Sequence, residues 1–317
     1  MAKKRALLLM AYGGPDSLAD VEAYVKDIRG GRPVPPEVVK AQQERYAAIG
    51  GRSPILALTE RQAAGLQRAM TASDSASYQS FVGMRHWRPT IRDAVQKIAD
   101  SKIKNVLALC MSPFNTPLSM GAYRNLLNAA LEEVNASAKW KEDLEVVELG
   151  AWYKHPAFIR MLGNHVRKAY EAASETGNDP VVVFTAHSLP ASIVEKGDPY
   201  DLQYSELCQL VTAEAGLTDD QWRRSYQCAG GGGIPWLGPS LEQILAELEA
   251  EGCKSVLIVP AGFTCDHVEV LYDLDIEVKQ LLESKGIQYF RTESLNDTPE
   301  FISAMSEILL SINPHWS

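Results

Sequence analysis

Eight short, near-continuous apolar runs divide this chain, and longer amphipathic stretches lie between them. The runs are Arg5–Ala11, Ser80–Gly83, Val106–Met111, Glu145–Leu149, Val181–Thr185, Arg224–Gln227, Val256–Val259 and Gln288–Phe290. Amphipathic patterns occupy Glu60–Met70, Thr90–Asp100, Ser240–Glu251 and Pro299–Ile312. Strand, helix, strand at this spacing predicts βαβ units and parallel sheets, and strands apolar along their length suit burial on both faces. The pattern also repeats. The segment from Ala6 to Pro15 resembles that from Val181 to Pro190, 175 positions on. The segment from Val106 to Pro113 resembles that from Val256 to Gly262, 150 positions on. Two similar α/β lobes follow, 1–160 and 161–317, with the C-terminal helix able to pack back on the first. Ligands in open α/β sheets bind beyond the carboxyl ends of strands. Tyr12, Ser112–Phe114, His187 and Phe263–Glu269 should therefore meet in one cleft between the lobes.

The formal net charge of −9 argues against a general nucleic-acid binder. It divides unevenly: residues 1–160 hold 22 Lys+Arg and 16 Asp+Glu, net +6, and the remainder hold 9 and 24, net −15. No apolar run approaches the roughly 18–20 residues that span a bilayer. Lys3-Lys4-Arg5 ahead of Ala6–Ala11 looks like a signal peptide, but the run is short of the about 7–15 residues needed, and it reads as a buried first strand. Five widely spaced cysteines, with no CxxC pair, suggest reduced thiols in a cytoplasmic protein and no zinc or iron–sulfur ligand set.

Several residues have the chemistry for a site. His187 follows a buried strand, where an imidazole is a base, a metal ligand or a loop-fixing hydrogen bonder. Ser188 lacks a Gly-x-Ser-x-Gly elbow and is a poor nucleophile. If 266–277 is helical, Asp266, Glu269, Asp273 and Glu277 fall within a roughly 80° sector at about 100° per residue. Such a row of carboxylates wants cations, and with His nearby it suits a divalent metal such as Fe2+. In the first lobe, Arg29-Gly-Gly-Arg32, Arg45-Tyr46 and Gly51-Arg52-Ser53 suit carboxylate or phosphate recognition. Gly230–Gly233 fits no nucleotide-loop pattern and reads as a flexible turn.

Six segments, in order, resemble the ferrochelatase family across nearly the whole chain. They are Leu9–Pro15, Tyr46–Pro54, Ala186–Pro190, Asp198–Tyr200, Pro235–Pro239 and Gly262–Asp273. The form Ala11-Tyr12-Gly13 resembles the monoderm, coproporphyrin III branch. The resemblance implies insertion of Fe2+ into coproporphyrin III. His187 and Glu269 would face each other across the ring cavity, dividing metal guidance and proton uptake in an order the residues leave open. Asp273 and Glu277 would be outer carboxylates. Tyr12 would be the axial ligand of the product iron, and Arg29, Arg45, Tyr46, Ser53 and Tyr123 would contact propionates or the ring edge. It further implies no cofactor beyond substrate Fe2+, no iron–sulfur cluster, no membrane-associated extension, a monomer, and transient contact with a downstream haem-synthesis enzyme. Alternatives are a protoporphyrin IX ferrochelatase, a Co2+ or Ni2+ tetrapyrrole chelatase, and a non-catalytic haem-binding or haem-delivery protein. A metallohydrolase is disfavoured, since no HExxH is present.

Overall fold

The computed structural model describes residues 3–136, 143–229 and 233–312. Each apolar run is a strand: β1 Lys4–Ala11, β2 Ser77–Met84, β3 Asn105–Cys110, β4 Glu145–Glu148, β5 Val181–His187, β6 Trp222–Gln227, β7 Ser255–Val259 and β8 Gln288–Arg291. Among the described residues they form two four-stranded sheets, in the orders β2-β1-β3-β4 and β6-β5-β7-β8. All neighbours are parallel. The weak sequence repeat thus corresponds to a repeated topology. In each sheet the chain crosses over its first strand to reach its third, leaving a switch point between the carboxyl ends of β1 and β3, and of β5 and β7.

The helices are α1 Val21–Ile28, α2 Pro36–Ala48, α3 Ile55–Ser73, α4 Ile91–Asp100, α5 Ala122–Asn135, α6 Pro156–Ser174, α7 Ser192–Glu195, α8 Tyr200–Ala215, α9 Leu241–Ala250, α10 Val268–Leu271, α11 Lys279–Ser284 and α12 Pro299–Ser311. Helices α4 and α9 hold equivalent places after the second strand of each sheet. Both start with a capping box, Thr90 with Asp93 and Ser240 with Gln243, which satisfies otherwise orphaned backbone N–H groups.

Strand alternation explains why the runs of the inner strands β1, β3, β5 and β7 are apolar almost throughout. Leu7 and Leu9 of β1 face an inner core, with Leu107 and Leu109 of β3, Val182 and Phe184 of β5, and Leu257 and Val259 of β7. Ala6, Leu8 and Met10 face an outer core with α4 and α5. Val183, Val256 and Ile258 do the same with α9 in the second sheet. The inner core joins both sheets through α3, α6, α8 and α12, whose Leu66, Phe158, Leu207 and Phe301 are fully buried. Trp152 bridges this layer, 4.8 Å from the ring of Phe158 and 6.5 Å from that of Phe301. Helix α6 runs across position 160, and Ile302 of α12 lies against Gly65 of α3. Of the glycine run, positions 230–232 fall outside the described residues, so the turn read there has no structural counterpart to report.

Candidate active site

The two switch points open on one cavity of about 350 Å3. Tyr12 comes from just beyond β1, Ser112 and Phe114 from the loop after β3, His187 from the end of β5, and Phe263, Thr264, Cys265, His267, Val268 and Glu269 from the segment after β7; all reach its wall. Tyr46 of α2, Ser53 ahead of α3 and Tyr123 of α5 add further wall. Close backbone approach makes this possible at two glycines. A Cβ at Gly262 would lie 2.6 Å from the Cβ of Ala186, and one at Gly14 would lie 2.4 Å from the side chain of Ser53. Only a residue without a side chain lets the loop after β7 cross β5 there, or the loop after β1 pass Ser53.

Three ionisable groups meet on the second-lobe wall. Glu269 Oε1 lies 3.6 Å from His187 Nε2, and its Oε2 lies 3.4 Å from His267 Nε2. Both imidazoles are anchored through Nδ1 by backbone carbonyls, His187 by that of Ser188 and His267 by that of Cys265 at 3.0 Å. A carbonyl can only accept, so Nδ1 bears the hydrogen in each ring and a neutral ring keeps its lone pair on Nε2. Burial alone would raise the Glu269 carboxyl; the charges of His187, His267 and Arg45, with the His267 hydrogen bond, overcome this and hold it at about 2. For His267 burial pulls the imidazole down, and the Glu269 hydrogen bond and charge pull it up, with a net rise above 6.5. Two neighbours fix the backbone here. Gln227 Nε2 donates to the Glu269 carbonyl at 2.7 Å, and Tyr200 Oη donates to the His187 carbonyl at 2.7 Å. Ser188 Oγ donates to the Leu237 carbonyl at 2.8 Å, a loop-bracing role.

Opposite, on the first lobe, the Tyr12 ring packs 4.8 Å from that of His86, tilted by 57°, and His86 Nδ1 is 2.8 Å from Asp27 Oδ2. Burial, then the charge of Glu269, pushes the Tyr12 hydroxyl up to about 12, so the free protein holds a neutral phenol.

The expected acidic row is not one helix. Asp266 precedes α10 and turns away, accepting from Ser294 Oγ at 2.5 Å and Asn296 Nδ2 at 2.8 Å. After the single turn of α10 the chain widens into a π-helix over Asp273–Val278, so 3.6-residue spacing no longer applies. Asp273 and Glu277 lie off the cavity wall. Asp273 is already paired: the Arg45 guanidinium bonds its Oδ1, and Cys228 Sγ donates to its Oδ2 at 3.0 Å. Burial raises the Asp273 carboxyl, and burial together with Asp273 raises that of Glu277. Arg45 also stacks 5.1 Å from the ring of Tyr272 and is off the wall, as is exposed Arg29 at the end of α1. The structure therefore brings Tyr12, Tyr46, Ser53, Tyr123, His187 and Glu269 to the cavity, but not Arg29, Arg45, Asp273 or Glu277.

The sequence places His267 in the segment expected at the cleft but gives it no role of its own, and it does not point to Arg85; both are on the wall. His267 had a usable signal, two positions before Glu269 in a quoted motif. Arg85 stands in no motif.

Paired parallel sheets with a cavity at both switch points define the chelatase-type fold. Among solved structures, SirB from Bacillus subtilis with Fe3+ shares it with a TM-score of 0.56 over 97% of this chain and 95% of that chain, at 12% identity. The family model "Ferrochelatase" matches residues 4–311. The chain is 38% identical over 310 residues to the ferrochelatase of Herpetosiphon aurantiacus, spanning 98% of this chain and 99% of that protein. It is 35% identical over 311 residues to the coproporphyrin III ferrochelatase of Oceanobacillus iheyensis, spanning 97% and 96%. The chain belongs to the ferrochelatase family.

Proposed function

We propose that this ferrochelatase inserts Fe2+ into coproporphyrin III, releasing two pyrrole protons. The observation that carries this reading is the pairing across one cavity: an imidazole and an ionised carboxylate on one wall, and a phenol with further aromatic rings on the other. The relative from Oceanobacillus iheyensis, a coproporphyrin III ferrochelatase, and the Tyr12 form of the first motif support that substrate.

This reading divides the chemistry between the two groups. His187, its Nδ1–H held by the Ser188 carbonyl, accepts a pyrrole proton at Nε2. Glu269, with its carboxyl held far below the usual range, is a poor proton acceptor and a good partner for a divalent cation. Insertion exchanges Fe2+ for two protons, so the site returns to its starting charge once those protons leave. Tyr12 meets the opposite ring face, where its phenolic oxygen would hold the product iron. Fe2+ is substrate, and the reading includes no resident cofactor or iron–sulfur cluster. It also takes the protein to be a cytoplasmic monomer; among the described residues no helix is long and apolar enough to cross a membrane. Asp273 and Glu277 take part as outer carboxylates only once Asp273 is freed from Arg45.

Side-by-side anaerobic turnover with coproporphyrin III and protoporphyrin IX tests the substrate. The reading expects a markedly higher kcat/KM for coproporphyrin III; equal values, or a preference for protoporphyrin IX, would overturn it.

A further inference from the structure

The carboxylate anchors implied by resemblance leave a gap. Arg29 is exposed at the end of α1, and the Arg45 guanidinium is engaged by Asp273. Among the described residues, the cavity wall includes one Lys or Arg side chain, that of Arg85, just beyond β2. Its guanidinium lies 5.9 Å from the centre of the Tyr12 ring and 5.8 Å from that of Tyr123. One amino group, Nη1, donates to the Leu118 carbonyl at 2.6 Å. No carboxylate of the described residues lies within 4 Å of it, so Nε and Nη2 retain donors for a ligand. A planar fork tied at one corner and steadied by two rings is suited to a carboxylate, which it can meet with two parallel hydrogen bonds.

Resting on the porphyrin reading above, we infer that Arg85 is a substrate-binding residue that receives a propionate carboxylate at the Tyr12–Tyr123 edge of the cavity. Electrostatics gives this a direction. Glu269, on the second-lobe wall, repels a propionate, and Arg85, on the first-lobe wall, attracts it. The pair orients a polycarboxylate macrocycle with an acidic edge toward β2 and its nitrogen centre toward His187.

The test compares wild type, Arg85→Met and Arg85→Lys. Binding of metal-free coproporphyrin III and of its tetramethyl ester is followed by fluorescence, and KM and kcat are measured for Fe2+ insertion into the acid. A charged hydrogen bond predicts that Arg85→Met weakens binding of the acid roughly ten- to a hundred-fold. Ester binding should move less than about two-fold, and KM should rise far more than kcat falls. Arg85→Lys, which keeps the charge and loses the fork, should recover part of the loss. Equal weakening of acid and ester would make Arg85 a packing residue and overturn the inference, as would unchanged acid binding. Failure of the wild type to insert iron would sink the proposed function instead, and the acid-against-ester comparison would still read Arg85.

Discussion

Glu269 sits between two imidazoles, and its pairing with His267 alters both partners. The stability that the raised His267 imidazole adds is fully present below the ordinary value of 6.5 and is lost as pH rises through the raised value. Removing the Glu269 charge leaves burial as the dominant influence on that ring. In Glu269→Gln, His267 should therefore titrate at lower pH than in wild type, followed by the NMR shift of its ring proton; an unchanged midpoint would show that Glu269 does not set its charge. Tyr12 offers a spectroscopic handle. Tyr12→Phe removes the phenolic oxygen while keeping the ring against His86, so the bound iron–porphyrin spectrum should change while the insertion rate falls less than about ten-fold, the reach of one modest interaction. An unaltered spectrum would remove Tyr12 as the axial ligand. At this scale the sequence is legible where motifs speak. His187 and Glu269 stand out through position and neighbours, but Arg45 meets Asp273 across 228 positions, and no local pattern announces such a pairing. Arg85 is invisible for the same reason: its meaning comes from two rings and a cavity brought together by the fold.

The inner strands are the most readable elements, because burial on both faces leaves a continuous apolar run that survives without context. The segment after β7 was misread because periodicity assumes one helix geometry. Ser294 and Asn296 pull Asp266 out of the helix, and the Arg291 fork, bidentate to Asp275 at 2.6 and 2.8 Å, braces the π-helical turn beyond it. These partners lie on β8 and in the loop that follows it. The crossing of that segment over β5 yields an element-scale prediction. Gly262→Ala places a Cβ against the backbone and Cβ of Ala186, and the loop bearing His267 and Glu269 must move. Chemical denaturation should show a loss of about 1–3 kcal/mol, the usual range for overpacking. Insertion should fall as well; full stability and activity would mean that the crossing tolerates a side chain.

The molecule combines two repeated sheets with one shared core. Phe184, Leu66, Phe158 and Phe301 belong to a single cluster drawn from both halves of the chain, and α6 runs continuously across position 160. The protein should consequently unfold in one calorimetric transition, and Phe184→Ala should cost about 3–5 kcal/mol; two separated transitions would show lobes that fold independently. Charge is divided as the sequence indicates, basic in the first half and acidic in the second, and the cavity lies where the two meet. That placement suits a ligand that brings carboxylates to one side and a divalent cation to the other. The most direct test is anaerobic, single-turnover Fe2+ insertion into coproporphyrin III by wild type and Glu269→Gln, with porphyrin binding measured in parallel. The account predicts that the variant binds porphyrin within a few-fold of wild type and inserts iron at least about a hundred-fold more slowly, a loss of roughly 2.7 kcal/mol in transition-state stabilisation. Near-normal insertion by Glu269→Gln would contradict it.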